Sequence, residues 1–366
     1  MGIEEANLGM VTDALWTDYN NDNLLDLIVV GEFMPITILK NETSSFSNNT
    51  IEASLDQYVG WWNSISGGDF DQDGDVDYVV GNYGVHSLTE ISDNHPIGVY
   101  YKDFDNNGTK DLLPTCWFED VDGVRKEFPY FGRLEHEKQM VKVKGQFQKH
   151  GDYASATIQE ILSPSDLEDC LVLHANYMKS AYLENNSDGT FSLTALPKEA
   201  QVSPIYGSHP QDVNQDGHLD IVMIGNDHGM EVSIGRMDAL DGLVLLGDGT
   251  GDFKTMPGRR SGFYVQGDGK SLATIYNSDQ NKLDIIAGQN KGPLKIHQKV
   301  EDVTCFRFED GDRYALVYFE DGHTQRIERY FGSTFLSQSS SYKEVPVGAS
   351  KIEIFNAEGS RQLDAL

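Results

Sequence analysis

The sequence predicts an all-β protein built from a repeated strand–loop–strand unit, and three observations lead to this fold class. A nine-residue acidic pattern recurs along the 366-residue chain. A short apolar run that ends in glycine follows most copies, as expected for buried strands. Turns that contain glycine separate most of the remaining apolar segments. Such internal repetition is typical of arrays in which each unit buries its apolar face against the next.

The repeat has Asp or Asn at positions 1, 3, 5 and 9 and Gly or Asn at position 6. We number the four clear copies as loop 1 (Asp18–Asp26, DYNNDNLLD), loop 2 (Asp69–Asp77, DFDQDGDVD), loop 3 (Asp103–Asp111, DFDNNGTKD) and loop 4 (Asp212–Asp220, DVNQDGHLD). A degenerate fifth copy, Tyr276–Asp284, keeps the final Asp but has Ser278 and Gln280 at middle positions. After loop 3, Pro114 interrupts the apolar run, which predicts an edge strand or a broken one there.

The spacing of these oxygen-bearing side chains predicts calcium binding. Carboxylates held close together repel one another unless a cation neutralises them, and Ca²⁺ takes six to eight oxygen ligands in a flexible geometry. We expect side chains at positions 1, 3, 5 and 9 and the backbone carbonyl at position 7 to bind about four structural ions in total. The predicted ligands are Asp18, Asn20, Asp22, Leu24 and Asp26 in loop 1; Asp69, Asp71, Asp73, Asp75 and Asp77 in loop 2; Asp103, Asp105, Asn107, Thr109 and Asp111 in loop 3; and Asp212, Asn214, Asp216, His218 and Asp220 in loop 4.

An EF-hand is excluded as the source of this pattern. That motif requires a bidentate Glu at position 12 and a helix on each side of the loop. Position 12 is instead occupied by Val29, Val80, Pro114 and Met223, and strand-like sequence follows the loops. No Cys/His cluster has the spacing of a zinc site either.

The charge of the chain restricts the classes of partner. The formal net charge is −30, which disfavours nucleic acid, because nucleic-acid binding depends on Lys and Arg contacts to phosphates. No apolar run is long enough to span a membrane, so we expect no membrane insertion of this segment. The first residues, MGIEEAN, are polar and acidic and do not resemble a signal peptide. We expect the chain to be part of a longer precursor, with any export signal upstream.

The repeat resembles the FG-GAP/VCBS repeats of integrin α-like propellers. Leu8–Asn41, Trp61–Gly84 and Gly235–Phe253 are similar to stretches of large exported VCBS-repeat proteins of the Bacteroidetes type, and Phe331–Gly348 is similar to the ASPIC/UnbV module. The resemblance implies a β-propeller with calcium in loops between strands, an extracellular, periplasmic or outer-membrane surface location, and no enzyme activity. Asn23 replaces the Gly of the family pattern in loop 1, and Asn107 replaces an Asp in loop 3.

These observations predict the domain organisation. Residues 1–299 form a propeller, and we expect about six to eight blades of four-stranded antiparallel sheet over the whole chain. A partly helical insertion of about 132–169 lies between blades, where Tyr153–Leu162 has helical spacing and Pro164 ends the helix. Residues 300–366 form either the last blade or a small C-terminal β segment that resembles ASPIC/UnbV.

The function predicted is a calcium-binding module that binds or scaffolds a protein or carbohydrate ligand. Trp61, Trp62, Tyr83 and His86, which flank loop 2 in sequence, are either core aromatics or ligand contacts. A structural subunit of a surface polysaccharide-handling assembly is an alternative that the sequence does not separate from this one. A further alternative is a glycan-active lyase or hydrolase, for which His209, Asp227 and His228 would have to converge in one pocket. No GxSxG or HExxH motif supports catalysis.

Overall fold

Short strands make up most of the regular secondary structure, and the helices are brief. The computed structural model describes residues 7–85, 90–231 and 235–364. In chain order the strands are β1 (Met10–Thr17), β2 (Asp26–Pro35), β3 (Thr37–Asn41), β4 (Phe46–Asn48), β5 (Val59–Gly68), β6 (Asp77–Asn82), β7 (Ile97–Lys102), β8 (Asp111–Glu119), β9 (Arg125–Pro129), β10 (Leu171–Ala175), β11 (Ala181–Asn185), β12 (Phe191–Ala195), β13 (Ile205–Gln211), β14 (Asp220–Gly225), β15 (Leu243–Gly247), β16 (Phe253–Met256), β17 (Gly269–Asn277), β18 (Lys282–Gln289), β19 (Lys295–Gln298), β20 (Cys305–Arg307), β21 (Asp312–Phe319), β22 (Thr324–Glu328), β23 (Tyr342–Glu344), β24 (Ala349–Asn356) and β25 (Ser360–Asp364). The helices are α1 (Arg133–Gln139), α2 (Lys142–Gln146), α3 (His150–Ala154), α4 (Ile158–Ile161), α5 (Pro164–Leu167) and α6 (Gly258–Ser261). The predicted β-rich fold is confirmed, and no helix of the described residues is long and apolar enough to cross a membrane.

Four antiparallel sheets repeat one simple arrangement, in which each strand pairs with the next strand of the same sheet in chain order. Sheet A contains β1 to β4, sheet B contains β5, β6, β11 and β12, sheet D contains β13 to β16, and sheet E contains β17 to β19. Sheets A and B are also joined through pairing of β2 with β5. The described residues therefore contain three four-stranded units of this kind and one with three strands. A complete propeller of six to eight blades stays a prediction.

The first strands of the four sheets lie next to one another and form a partial barrel. Thr12 Oγ1 donates to Trp62 O at 2.7 Å, and Ile65 N donates to Asp13 Oδ2 at 3.0 Å, which joins β1 to β5. Ser66 and Ser208 share a hydroxyl hydrogen bond of 2.7 Å between β5 and β13. Apolar residues fill the spaces between successive sheets in separate clusters. Each sheet is thus stabilised mainly by burial against its neighbours.

The insertion is larger than the sequence indicates, and it lies within a sheet rather than between two of them. It leaves sheet B after β6 and returns at β11, and it contains its own four-stranded sheet C, in the order β10-β7-β8-β9, together with α1 to α5. Its core is a separate apolar cluster that includes Leu113, Met140 and Ile158. The predicted helical character is confirmed. However, Tyr153–Leu162 spans two short helices, and Pro164 begins α5, which Ser163 caps, instead of ending a helix.

The prediction that Pro114 produces an edge or broken strand is wrong. Pro114 lies inside β8, which is continuous and has β7 on one side and β9 on the other. Pro114 is opposite Val99 in β7, and its carbonyl accepts a hydrogen bond from Tyr130 N at 2.8 Å. The N–H and C=O of a strand residue point to the same side, so the N–H that Pro114 lacks would face Tyr130, just beyond the end of β9, where the loss of one ladder bond is tolerated.

The C-terminal region forms two small sheets and docks onto the partial barrel. Sheet F pairs β20 with β23, and sheet G has the order β22-β21-β24-β25. Residues 329–341 run along the first strands of sheets D and E, where their hydroxyl side chains bond to backbone groups. Thr334 Oγ1 donates to Tyr206 O at 3.0 Å, and Ser339 Oγ accepts from Thr274 N at 3.1 Å. The serine-rich stretch of the sequence therefore covers backbone groups that would otherwise face solvent or remain unpaired.

Arg326 in β22 connects the C-terminal region to loops 1 and 2. Its Nη2 lies 3.0 Å from Asp18 Oδ2 and 3.2 Å from Glu328 Oε1. Its backbone N donates to Asp69 Oδ2 at 2.9 Å. Glu328 in turn accepts hydrogen bonds from Thr17 Oγ1 and the backbone N of Asp18. All three charged side chains are almost fully buried.

We expect Arg326→Met to destabilise the fold strongly. The substitution keeps most of the apolar stem but leaves the buried carboxylates of Asp18 and Glu328 without a cation, which costs about 3–5 kcal/mol in comparable cases. Urea denaturation in EDTA would measure the free energy of unfolding. The control is Lys198→Met, because the Lys198 side chain is 92% exposed. If the free energy of unfolding fell by less than about 0.5 kcal/mol, as for ordinary surface substitutions, Arg326 would not stabilise the contact between the C-terminal region and loops 1 and 2.

Candidate metal sites in the Asp-rich loops

Each Asp-rich loop joins the first two strands of its sheet. Loops 1, 2 and 4 connect β1 to β2, β5 to β6 and β13 to β14, and loop 3 connects β7 to β8 in the insertion. The first strands of sheets A, B and D run in the same direction, as their successive cross-strand contacts show. Loops 1, 2 and 4 therefore lie at the same end of the partial barrel. The degenerate copy at Tyr276–Asp284 is instead a tight hairpin between β17 and β18.

The four loops share one backbone conformation. The residue at position 7 donates its N–H to the side chain at position 5 in every loop, at 2.8, 3.0, 2.7 and 3.0 Å in loops 1 to 4. Position 6 has a positive φ in every loop, as predicted from its Gly or Asn. Position 4 also has a positive φ, which the sequence reasoning missed; its residues are Asn21, Gln72, Asn106 and Gln215. The recurrent Asn or Gln there was the available signal, since Asn adopts this conformation more readily than most residues.

The carboxylate at position 1 organises three of the four loops. In loop 1, Asp18 accepts hydrogen bonds from Asp22 N at 2.9 Å and Asn23 N at 3.0 Å. Asp103 and Asp212 accept the equivalent pair of N–H groups in loops 3 and 4. In loop 2, Asp69 instead accepts the Arg326 backbone N–H through Oδ2, and its other oxygen has no protein partner.

The Asp at position 9 ties loops 2 and 4 to the rest of their sheets. Asp77 accepts hydrogen bonds from Phe70 N at 3.2 Å and Asn185 N at 2.9 Å. Asp220 accepts the equivalent bonds from Val213 N and Gly247 N. These carboxylates therefore already satisfy backbone donors, which is a structural role that the ligand prediction did not anticipate.

Carboxylates converge in two of the loops. Oxygens of Asp69, Asp71 and Asp73 all lie within 4.8 Å of one another, and so do oxygens of Asp103, Asp105 and Asp111. Among the described acidic, His and Cys side chains, these are the groups close enough to hold one ion. Loops 1 and 4 have Asn20 and Asn214 at position 3, so an amide oxygen would have to replace a carboxylate there.

Several loop oxygens are buried without a protein hydrogen-bond donor. They are Asp26 Oδ2, Asp69 Oδ1, Asp75 Oδ1 and Asp105 Oδ1. Asp75 is 2% exposed and lies at position 7, where only the backbone carbonyl was expected to matter. Its other oxygen accepts from Ser187 in the β11–β12 turn. Buried carboxylate oxygens require a donor or a cation, and a bound cation would satisfy this requirement.

Burial raises the pKa values of the loop carboxyls. Removal from water, with a smaller contribution from neighbouring carboxylates, raises the pKa of Asp69 and of Asp77 to about 8. The same causes raise the pKa of Asp26, Asp75 and Asp220 to about 7. Burial also raises the pKa of Asp18, although the positive charge of Arg326 opposes the increase. The Arg326 side chain thus places a positive charge beside Asp18 in loop 1. In loop 2, Arg326 contributes only its backbone N–H, which donates to Asp69.

The aromatic residues considered as ligand contacts lie far from loop 2 in the structure, although they flank it in the sequence. Trp61, Trp62 and Tyr83 lie at the end of β5 and β6 opposite loop 2, because the loop follows the far end of the ten-residue β5. Trp62 is fully buried, and Trp61 stacks on Tyr83 with ring centroids 5.0 Å apart. The core interpretation of these aromatics therefore fits their packing, and His86 lies outside the described residues.

His209 and Asp227, two of the three residues considered for catalysis, lie at different points along sheet D, because His209 is opposite Val222 in the middle of β14 and Asp227 follows the end of that strand. His209 lines a cavity against the C-terminal region. Asp227 accepts a hydrogen bond from Tyr206 Oη at 3.1 Å, and its carboxylate lies 4.0 Å from Lys270 Nζ. Asp227 follows the end of β14 that is farther from loop 4. His228 follows Asp227 and does not line the His209 cavity.

We expect the stability of the metal-free protein to fall between pH 6.5 and pH 8. Because the folded state raises the loop carboxyl pKa values above the usual 3.8, it binds protons more tightly than the unfolded chain, and stability is lost as pH rises towards about 8. The slope is on the order of 1 kcal/mol per pH unit for each such carboxyl. Urea denaturation in EDTA across this range would measure it.

The matched variants are Asp69→Asn, which we expect to make the slope shallower, and Asp122→Asn in an exposed turn, which we expect to leave it unchanged. Stability that increases with pH in EDTA would contradict the raised pKa values.

Comparison with known proteins agrees with this description of the loops. A family model for an FG-GAP-like repeat matches residues 18–80, which contain loops 1 and 2 and the strands that follow them. A comparison with curated proteins found no match. The further resemblance to Bacteroidetes proteins and to the ASPIC/UnbV module stays a prediction. The chain carries an FG-GAP-like repeat at residues 18–80.

Proposed function

We propose that this chain is a binding or scaffold module of the β-propeller type, with calcium bound in its Asp-rich loops. The observation that carries the proposal is the convergence of three carboxylates in loop 2 and in loop 3. The shared loop conformation and the FG-GAP-like repeat support extending the same role to loops 1 and 4. The arrangement of sheets A, B, D and E supports a propeller-type scaffold.

Calcium is the cation that fits this donor set best. The loops offer oxygens from carboxylates, amides and backbone carbonyls, and hard divalent cations prefer such ligands. Mg²⁺ requires near-ideal octahedral geometry and retains several waters, whereas Ca²⁺ accepts irregular sets of oxygens. Asp71, Asp73 and Asp69 would bind the ion in loop 2. Asp103, Asp105 and Asp111 would do so in loop 3.

The role of the ion in this proposal is structural. Loop 2 begins and ends with buried carboxylates, Asp69 and Asp77, whose pKa values are raised, so ionising them in the absence of a cation destabilises the fold. A cation bound only by the folded state stabilises it by about 2.7 kcal/mol when its concentration is a hundred times Kd. Weak sites of this kind fill at millimolar extracellular calcium, which supports a location outside the cytoplasm.

We expect the melting temperature to be higher in calcium than in EDTA, and Asp71→Asn/Asp73→Asn to remove much of this increase. The double substitution removes two of the three converging carboxylates in loop 2 without changing its length. Differential scanning calorimetry in calcium, magnesium and EDTA would measure the shift, with Asp122→Asn as the control. Equal melting temperatures in calcium and EDTA would contradict a structural role for calcium.

The proposed ligand is a protein or a carbohydrate, and we propose binding without catalysis. The separation of His209 from Asp227 and His228 supports this choice over a glycan lyase or hydrolase. Incubation with a panel of acidic and neutral polysaccharides, followed by mass spectrometry of the products, would test it. We expect no new reducing ends or unsaturated sugars. Calcium-dependent release of either product would contradict the binding proposal.

A further inference from the structure

The second strands of sheets A, B, D and E follow one packing rule, counted from the last Asp of the preceding loop or degenerate copy. Residues one and three places after this Asp lie on one side of the sheet, which we call its leading face. Residues two and four places after it lie on the other side, the trailing face, because side chains alternate along a strand. In sheet B, Tyr78 and Val80 on the leading face pack towards sheet A, and Val79 on the trailing face packs towards sheet D.

The same rule holds at each junction between successive sheets. The trailing face of sheet A, with Ile28 and Val30, packs on the leading face of sheet B. The trailing face of sheet B packs on the leading face of sheet D, and the trailing face of sheet D packs on the leading face of sheet E. One kind of sheet-to-sheet contact is therefore used three times within the chain.

Sheet A has a leading face with no other sheet against it. Leu27 and Val29 occupy the first and third positions of this face. Trp16 lies opposite Leu27 and makes an edge contact with Phe46, with ring centroids 6.1 Å apart. Both aromatic side chains are only partly buried. The apolar cluster that they form contains only residues from positions 8–46, so no other sheet of the described residues contributes to it.

Sheet E has the converse feature, a trailing face with no other sheet against it. Ile286 occupies the second position of this face, between Ala273 of β17 and Ile296 of β19. Ile296 is 61% exposed, and Ile275, on the same face of β17, is 49% exposed. Ile286 belongs to none of the apolar clusters that the described residues form. Apolar side chains thus lie uncovered on this side of sheet E.

The two uncovered faces are the two halves of the contact that repeats inside the molecule. Each internal junction joins a trailing face to a leading face, and the leading face of sheet A and the trailing face of sheet E are left over. End units of a repeat array normally have a polar outer face, and an uncovered apolar face indicates an interaction surface. A second copy of the chain carries both halves, so each copy offers the face that the other requires.

We propose that two copies of this chain close one ring through these faces. Sheet E of each copy would pack on sheet A of the other, in continuation of the junctions within each chain. The same contact forms twice, so the dimer is closed and two-fold symmetric. Two copies contain eight of these sheets, which lies within the four to eight blades typical of propellers. The inference rests on the propeller-type scaffold proposed above, but not on calcium or on a ligand.

Sedimentation velocity of the full chain in calcium tests this proposal. We expect one species of twice the chain mass at micromolar concentrations. Ile296→Lys places a charge in the proposed contact and should weaken dimerisation by at least about tenfold, because an unpaired buried charge is costly. The control is Val121→Lys in the insertion, where the side chain is 97% exposed, and it should leave the mass unchanged.

A mixture of variants identifies which faces meet. Phe46→Glu alters the leading face of sheet A and should weaken dimerisation of its own copies, as Ile296→Lys does on sheet E. Mixing the two variants should restore the dimer. One junction of the mixed dimer would then contain both substitutions with opposite charges, and the other junction would be unmodified.

Three results would overturn the proposal. A chain that stays monomeric at these concentrations would show that another repeat-containing partner covers the two faces. A dimer that Ile296→Lys does not weaken would use a different surface, and a ladder of larger masses would indicate that the contact does not close with two copies. Differential scanning calorimetry in calcium and EDTA separates this inference from the calcium proposal, because a monomer that calcium stabilises would contradict only the ring.

Discussion

The burial of carboxylates at the ends of strands is the constraint on which this structure depends. Each Asp-rich loop turns the chain from the first strand of a sheet into the second. In loops 2 and 4, the Asp at position 9 accepts one backbone N–H from the loop and one from a later strand. The same sheets pack face to face, so these carboxylates are removed from water. Their pKa values rise as a result. A cation in the loop would allow the ionised form to persist in the folded state at neutral pH.

The C-terminal region extends this electrostatic arrangement across the molecule. Arg326 provides a permanent cation beside Asp18 and, through its backbone, a donor to Asp69. Loops 1 and 2 are consequently coupled through one residue that lies about 300 positions away from the first of them. The serine-rich residues 329–341 complete the contact by bonding to strands of sheets D and E. Residues of both sets of contacts line one cavity between the partial barrel and the C-terminal region.

The amino-acid sequence was most informative where a local pattern determines the conformation. Apolar runs after loops 1, 2 and 4 predict the strands there, and the Gly or Asn at position 6 predicts the positive φ. Both signals act within a few residues of the chain. The sequence did not indicate that the insertion divides sheet B, because pairing of β6 with β11 depends on tertiary contacts across about 100 residues. Pro114 misled the strand assignment for a related reason, since its place inside β8 depends on pairing with Val99 and on the hydrogen bond from Tyr130 N. The pairing of Asp18 with Arg326 likewise depends on contact between distant segments.

The most direct test of the central claim is an anomalous difference map from crystals grown in calcium and then exchanged into terbium. The account predicts strong peaks among the carboxylates of loops 2 and 3, with Asp69, Asp71 and Asp73 around one ion and Asp103, Asp105 and Asp111 around another. Peaks in loops 1 and 4, where Asn replaces one carboxylate, should be weaker. Loops with the same conformation but no anomalous peak would contradict the account, because the buried carboxylates would then be accommodated by protonation and hydrogen bonding alone.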